Sequence, residues 1–508
     1  MIKIFKSSLS KAFVLCSILI VGLFSCAKIT KNSKSASENK IDWVYQVDSL
    51  LMPFWMSVDA LGEPAGNYPA YRYSDGKAIY PSNLDFKVLN PEYHQFYMAN
   101  TDSLRRDFVR VKSRQIYGYC IAYHLTGNED YLVNAKLGLE YLIGKNVYSD
   151  SSAVAFWDKT GHPHPTRLQR NAQDLAYALL APTVYYYLTR DEKILDLILK
   201  NNQFMWQEYY EKSDLTENTK LMKWVLEDFE GDSTNIKELL APLDQLNAYL
   251  LLLAKVAPDS LLSKFKNQVR KLAYSIKENF YSADYNIFWG RLNKKSFDGN
   301  TDFAHSIKTF WMLYTSANYI HDESLAVFAI KGANQLLKTA YLEETGSWAS
   351  KYKDSSLALD KNIMTWEFDE LDQMAATLSF QDTSYYSNYL KQTYPYFEKF
   401  LINHTVGGTH MGRTASGEIG DLGFRTGWHF GNFHDIEHAL IGYFSTANYY
   451  NDNIELYFAF KKEAMPGKDK INPYHYQAEI ISITSEPFEN ERFEGLSRTK
   501  VTLRNIKI

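Results

Sequence analysis

The chain has 508 residues, a formal net charge of −4, 45% apolar and 22% charged side chains. That composition excludes a disordered or fibrous protein, and the lack of Lys/Arg blocks argues against nucleic-acid binding, which needs a concentrated basic face. Aromatic residues reach 15%, which suits both apolar cores and stacking on sugars.

Residues 1–11 carry three Lys and no acid, and residues 12–24 form an apolar run too short for a comfortable membrane span. Leu23-Phe24-Ser25-Cys26 resembles a bacterial lipoprotein signal, in which Cys26 becomes the lipidated first residue. Residues 1–25 are then a removable leader. Residues 26–41, rich in Ser, Lys and Asn, are a flexible tether. The expected location is the periplasm or the outer membrane, with a lipid anchor in the bilayer. Cys120 is the one other cysteine left, so no intramolecular disulfide framework is available.

From Trp43 onward, apolar residues recur at helical spacing. The pattern predicts twelve helices, over 43–58, 108–125, 131–143, 168–188, 194–210, 237–256, 261–280, 303–320, 324–342, 363–380, 385–402 and 434–449. Alternate helices begin with a polar pair three or four residues apart, hence on one face. The pairs are Arg110/Arg114, Asn171/Asp174, Asp244/Asn247, His305/Lys308, Trp366/Glu370 and His434/Glu437, with second members about 60 to 73 residues apart. A helical hairpin repeated at that period must stack on its neighbours to bury its apolar face. Six hairpins close into an all-α (α/α)6 toroid over 42–450, with an inner ring whose helix starts gather at one end. The long Gly/Asp/Ser/Trp-rich connections before the inner helices join them there. Residues 451–508 add a small β-like appendage, since 476–484 and 500–508 alternate as strands do.

Several segments then resemble the N-acylglucosamine 2-epimerase-like family, in order along residues 42–450. They are Leu51-Met52-Pro53-Phe54-Trp55, Gly66-Asn67-Tyr68, Ser113-Arg114-Gln115, Asp174-Leu175-Ala176-Tyr177-Ala178, His305-Ser306-Ile307, Trp366 with Glu370, and Phe433-His434. The resemblance implies an (α/α)6 barrel that epimerises sugars at carbon 2 or interconverts aldoses and ketoses. It implies His305 and His434 as the proton-transfer pair, Arg114 as the electrophilic stabiliser, and Trp366 and Glu370 in the pocket. Asp174, Asp244, Asn247 and Lys308 complete the expected substrate-binding set.

Histidine titrates near neutral pH and can take the weakly acidic C2 proton. Returning it on the opposite face inverts the centre, and delivering it to carbon 1 gives the ketose. No cofactor or metal is required. The chain departs from the family pattern at Asp244 (usually His), Asn247 and Lys308 (both usually Glu), and Glu437 (often Arg nearby). A lysine beside His305 is expected to lower that histidine's pKa. These changes point to an acidic or larger sugar, or to lost activity. The alternatives are a glycoside hydrolase or lyase using Asp244 with Glu370 or Asp174, and an inactive surface glycan binder. Trp157, Trp289 and Trp348 are equally suited to sugar stacking and to anchoring loops. His162 and His164 fit a solvated loop pair and His410 a turn. Cys120 sits on an apolar helix, and Arg110 is placed to pair with substrate or with Asp107.

Overall fold

Two kinds of helix alternate along the chain, and their burial decides where each sits. Helices α2 (Val109–Thr126), α4 (172–189), α6 (240–256), α8 (Phe303–Ile320), α10 (Thr365–Ser379) and α12 (His434–Tyr450) are buried nearly all round, polar residues included. Helices α3 (Glu129–Gly144), α5 (192–211), α7 (Asp259–Phe280), α9 (Glu323–Ala340) and α11 (386–401) bury one stripe each. On α9 that stripe is Leu325, Ala329, Gly332, Ala333, Leu336, Leu337 and Ala340, an i, i+4, i+7 progression. The first set is the inner ring and the second the outer ring. The computed structural model describes residues 40–80, 85, 87, 106–212, 220–228, 234–420, 423–427 and 431–508. The leader, most of the tether and Cys26 lie outside the described residues.

Helix α1 (43–56) is the outer partner of α12, so the first and last helices of the ring meet. Trp43 donates from Nε1 to Thr446 Oγ1 at 2.8 Å and packs its ring on Gly442, where a Cβ would stand 2.4 Å away. Neighbouring inner helices touch around the ring, and Lys308 on α8 reaches Asp244 on α6 at 3.4 Å.

Turn chemistry fixes the polarity. Helices α2, α4 and α8 end on a left-handed residue, Gly127, Arg190 or His321. The next residue, Asn128, Asp191 or Asp322, caps the outer helix with its side chain. Those turns are two residues long, so every long connection falls at the opposite end, before the inner helices. Proline accounts for the local irregularities. Pro182 removes a hydrogen bond where α4 breaks at Leu179, and Pro395 sits between two π-helical stretches of α11.

Two outer helices run into short hairpins that the periodicity did not predict. Tyr281–Ser282 pairs with Ile287–Phe288, and Tyr341–Leu342 with Ser347–Trp348. Asn286 and Gly346 take the positive φ each turn needs.

The appendage is a three-stranded antiparallel sheet of β1 (Ile454–Lys461), β2 (Gln477–Pro487) and β3 (Leu496–Lys507), ordered β1-β3-β2. Ile454, Leu456, Phe458 and Phe460 of β1 are buried, and the strand packs on α2 and α4. The connection before β2 enters the ring at the short-turn end. There Tyr474 donates to Glu437 at 2.5 Å, Tyr476 bonds Thr377 at 2.7 Å, and His475 packs on Trp311. Residues 41–508 are therefore one compact unit.

Candidate active site

At the long-loop end, the inner helices surround a cavity of about 420 Å³. Every one contributes: Arg110 and Arg114 from α2, Gln173 and Tyr177 from α4, Asp244 from α6, His305 and Lys308 from α8, Trp366 and Asp369 from α10, and His434 and Asp435 from α12. Loops and α1 add Trp224, Glu238, Arg291, His410, Arg425 and Trp55.

The polar pairs divide by depth. First members line the cavity, while Asn247, Glu370 and Glu437, three or four residues later, lie buried beneath it, and Asp174, partly exposed, does not line it. Asp174, Asn247 and Glu370, expected to bind substrate, are not among the residues that line the cavity. Asp174 accepts from Asn171 Nδ2 at 2.7 Å and stands 3.7 Å from Arg110. Asn247 is 2% exposed and its amide makes no hydrogen bond. Glu370, fully buried, sits between Lys308 and His434.

The two histidines have opposite surroundings. Asp302 caps α8 and accepts from the His305 backbone N–H at 2.6 Å. Its other oxygen accepts from His305 Nδ1, also at 2.6 Å. A carboxylate there requires a proton on Nδ1 and leaves Nε2 for exchange. Burial alone lowers the His305 pKa, but the charge and hydrogen bond of Asp302 outweigh it, so the net shift is upward. The expected lowering by Lys308 is present, yet Asp302 overrides it. His434 instead lies well below the ordinary histidine range, through burial first and then through Lys308, Arg114 and Arg110. Its Nδ1 is 3.1 Å from Glu370 Oε1, but the alignment makes no hydrogen bond.

Lys308 holds the floor together. Its Nζ lies 3.4 Å from Asp244 and 3.5 Å from both Glu370 and the Tyr177 hydroxyl. Burial disfavours its charge, but Tyr177 and the two carboxylates more than compensate. Burial pushes Asp244 up, and Lys308 and Arg110 bring it below the usual carboxylate range. Burial raises Glu370 to about 7 against the pull of Lys308.

Arg110 and Arg114 place their guanidiniums 4.4 and 4.3 Å from the centre of the Tyr177 ring. Arg110 also donates to Gln173 at 3.0 Å, and Gln173 donates to Asp244 at 2.7 Å. The acid paired with Arg110 is Asp174, whereas Asp107 takes Lys112. The indole of Trp366 lies 4.9 Å from the His305 ring and 5.7 Å from the His434 ring.

The loop tryptophans are anchors: Trp157, Trp289 and Trp348 are buried and none lines the cavity. Trp55 and Trp224 occupy the wall instead. His410, expected in a turn, also reaches it. His162 is exposed, and burial pushes the Cys120 thiol up. Four acids were missed. Asp302 is legible as a cap three residues before His305, Asp435 adjoins His434 and Asp369 adjoins Glu370. Glu238, in the connection before α6, carries no such signal.

The N-acylglucosamine 2-epimerase family matches residues 97–420. No curated protein is a significant match. Among solved structures, the chain superposes on cellobiose 2-epimerase from Bacillus thermoamylovorans with TM-score 0.63 and 15% identity, covering 79% of this chain and 97% of that one. It superposes on a D-mannose isomerase with TM-score 0.63 and 16% identity, covering 82% and 99%. An unsaturated glucuronyl hydrolase from a Bacillus species gives 0.51 and 12%, covering 78% and 96%. At such identities the superpositions establish the (α/α)6 barrel alone. With the family matched over most of its length, the chain belongs to the N-acylglucosamine 2-epimerase family.

Proposed function

We propose that the protein is a sugar 2-epimerase or aldose–ketose isomerase, acting on a free or N-acylated saccharide by proton transfer at carbon 2. The observation that carries this reading is the pair of histidines with opposed pKa shifts, both against the indole of Trp366. Two groups pushed apart in this way supply an acid and a base at one pH. Neutral His434 takes the C2 proton, and protonated His305 delivers one from Nε2. Arg114 stabilises the oxyanion that develops on the enediolate. Trp366 offers an apolar platform for the sugar.

The hydrolase reading has less support. It needs two carboxylates flanking a bond. Asp244 and Glu370 both serve one ammonium, and Glu370 lies beneath the floor. An inactive binder would not need Asp302 to hold one imidazole in a defined state.

Incubation with N-acetylglucosamine, mannose, glucose and cellobiose, followed by NMR of the products, tests the function. A C2 epimer or ketose from at least one sugar is expected. Hydrolysis of cellobiose without epimer or ketose from any sugar would overturn the proposal.

We place the reaction outside the cytoplasm, on a protein lipidated at Cys26. The basic and apolar leader ending in Ser25-Cys26 supports this. Cys26→Ala should move the protein from the membrane to the soluble fraction. Unchanged membrane association would contradict the anchor.

A further inference from the structure

Arg114 is enough to stabilise an enediolate, which leaves Arg110 without a part in that chemistry. Arg110 lies one turn nearer the loop end of the same helix and lines the same cavity. The two side chains are 6% and 2% exposed and share one ring, that of Tyr177. Two buried cations against one aromatic ring repel in a poorly solvated site, and Arg110 disfavours the charge of Arg114. Stacking and Asp174 at 3.7 Å offset part of this.

Two of the wall acids already hold a cation. Glu238 takes Arg291, and Asp244 takes Lys308 and Gln173. Of the remaining wall acids, Asp369 is raised well above the carboxylate range by burial and then by the charge of Asp435, and burial raises Asp435 to about 6 against the pull of Arg425 and Thr409. An anion arriving beside Arg110 would offset its repulsion with Arg114 and gain charge-assisted hydrogen bonds.

We infer that the cavity takes a saccharide with an anionic substituent, recognised by Arg110. This rests on the sugar-isomerising reading of the site and names its substrate class. The shared chemistry is an oxyanion, either the carboxylate of a uronic acid or a phosphate ester. A cavity of about 420 Å³ has room for a mono- or disaccharide.

Binding of D-glucuronate, D-glucose 6-phosphate and D-glucose to the full chain is measured by calorimetry. At least one of the anionic sugars should bind about tenfold or more tightly than glucose, and the better of the two identifies the anion. Arg110→Gln should cut that preference about tenfold. Arg110→Lys, which keeps the charge and loses the fork, should retain part of it. Glucose binding as tightly as both anions to the wild type would overturn the inference, as would a preference unchanged in Arg110→Gln. The two proposals fail separately. A neutral sugar epimerised with no anion preference removes only this inference. Tight glucuronate binding with no C2 chemistry on any sugar removes only the function.

Discussion

Asp302 shows how a single cap sets the state of the group proposed as the acid. It terminates the backbone of α8 and holds His305 Nδ1 with the same carboxylate. Because the acid role needs protonated His305, activity is present below its raised pKa and falls as pH rises through it. The base role needs neutral His434, so activity falls only when pH drops toward its lowered pKa. The profile of kcat/KM is therefore expected to be bell-shaped. Asp302→Asn removes the charge that raises His305, so the alkaline limb should move to lower pH by about 1 to 3 pH units, with the acid limb in place. An unmoved alkaline limb would show that His305 is not the acid. The sequence made His305, His434, Arg114 and Trp366 legible through ordered motifs. It could not tell lining residues from the layer below, because helical spacing fixes a face but not a depth. Asp174, Asn247 and Glu370 share a face with lining residues and still fall short of the cavity. The lowering of His305 by Lys308 was legible, but Lys308 is also the leading charge that lowers His434, which is remote in sequence.

Helix positions were legible wherever the apolar period was undisturbed. α8 runs from Phe303 to Ile320, as the periodicity requires. The starts of α4, α6 and α10 lie two to four residues later than the period suggests; before α6 and α10 the apolar residues Leu239 and Ile363 are buried in the preceding connections, while Leu168 before α4 is exposed. The hairpins after α7 and α9 escaped notice because two-residue strands carry too few positions to alternate. What closes the ring is the fit of α1 on α12, where the Trp43 ring lies over Gly442. Gly442→Ala should overpack this contact and destabilise the protein by about 1 to 3 kcal/mol in denaturant unfolding. A stability equal to wild type would mean that α1 does not depend on this close approach.

At the scale of the molecule, the appendage seals the end of the ring opposite the cavity. Its Tyr474 hydroxyl satisfies Glu437, which burial and the charge of Glu370 raise to about 8. Glu437 lies one turn below His434, so the seal reaches to the layer beneath the site. Tyr474→Phe leaves a buried carboxyl short of a donor, and a loss of about 1 to 3 kcal/mol is expected in unfolding. A neutral substitution would mean that the Tyr117 hydroxyl, 3.4 Å from the same carboxylate oxygen, suffices alone. Alternating strands were readable at 476–484 and 500–508, but nothing in their pattern reveals that the segment before them enters a helical ring. The central claim, proton transfer at carbon 2 between two histidines, is tested most directly in heavy water. With a sugar that the protein converts, the wild type should place solvent deuterium at carbon 2 of the epimer, or at carbon 1 or 2 during ketose interconversion. His434→Ala and His305→Ala should each slow incorporation by 100-fold or more, on the order of what general acid–base groups contribute. Conversion without deuterium incorporation, or incorporation at the wild-type rate in both variants, would contradict it.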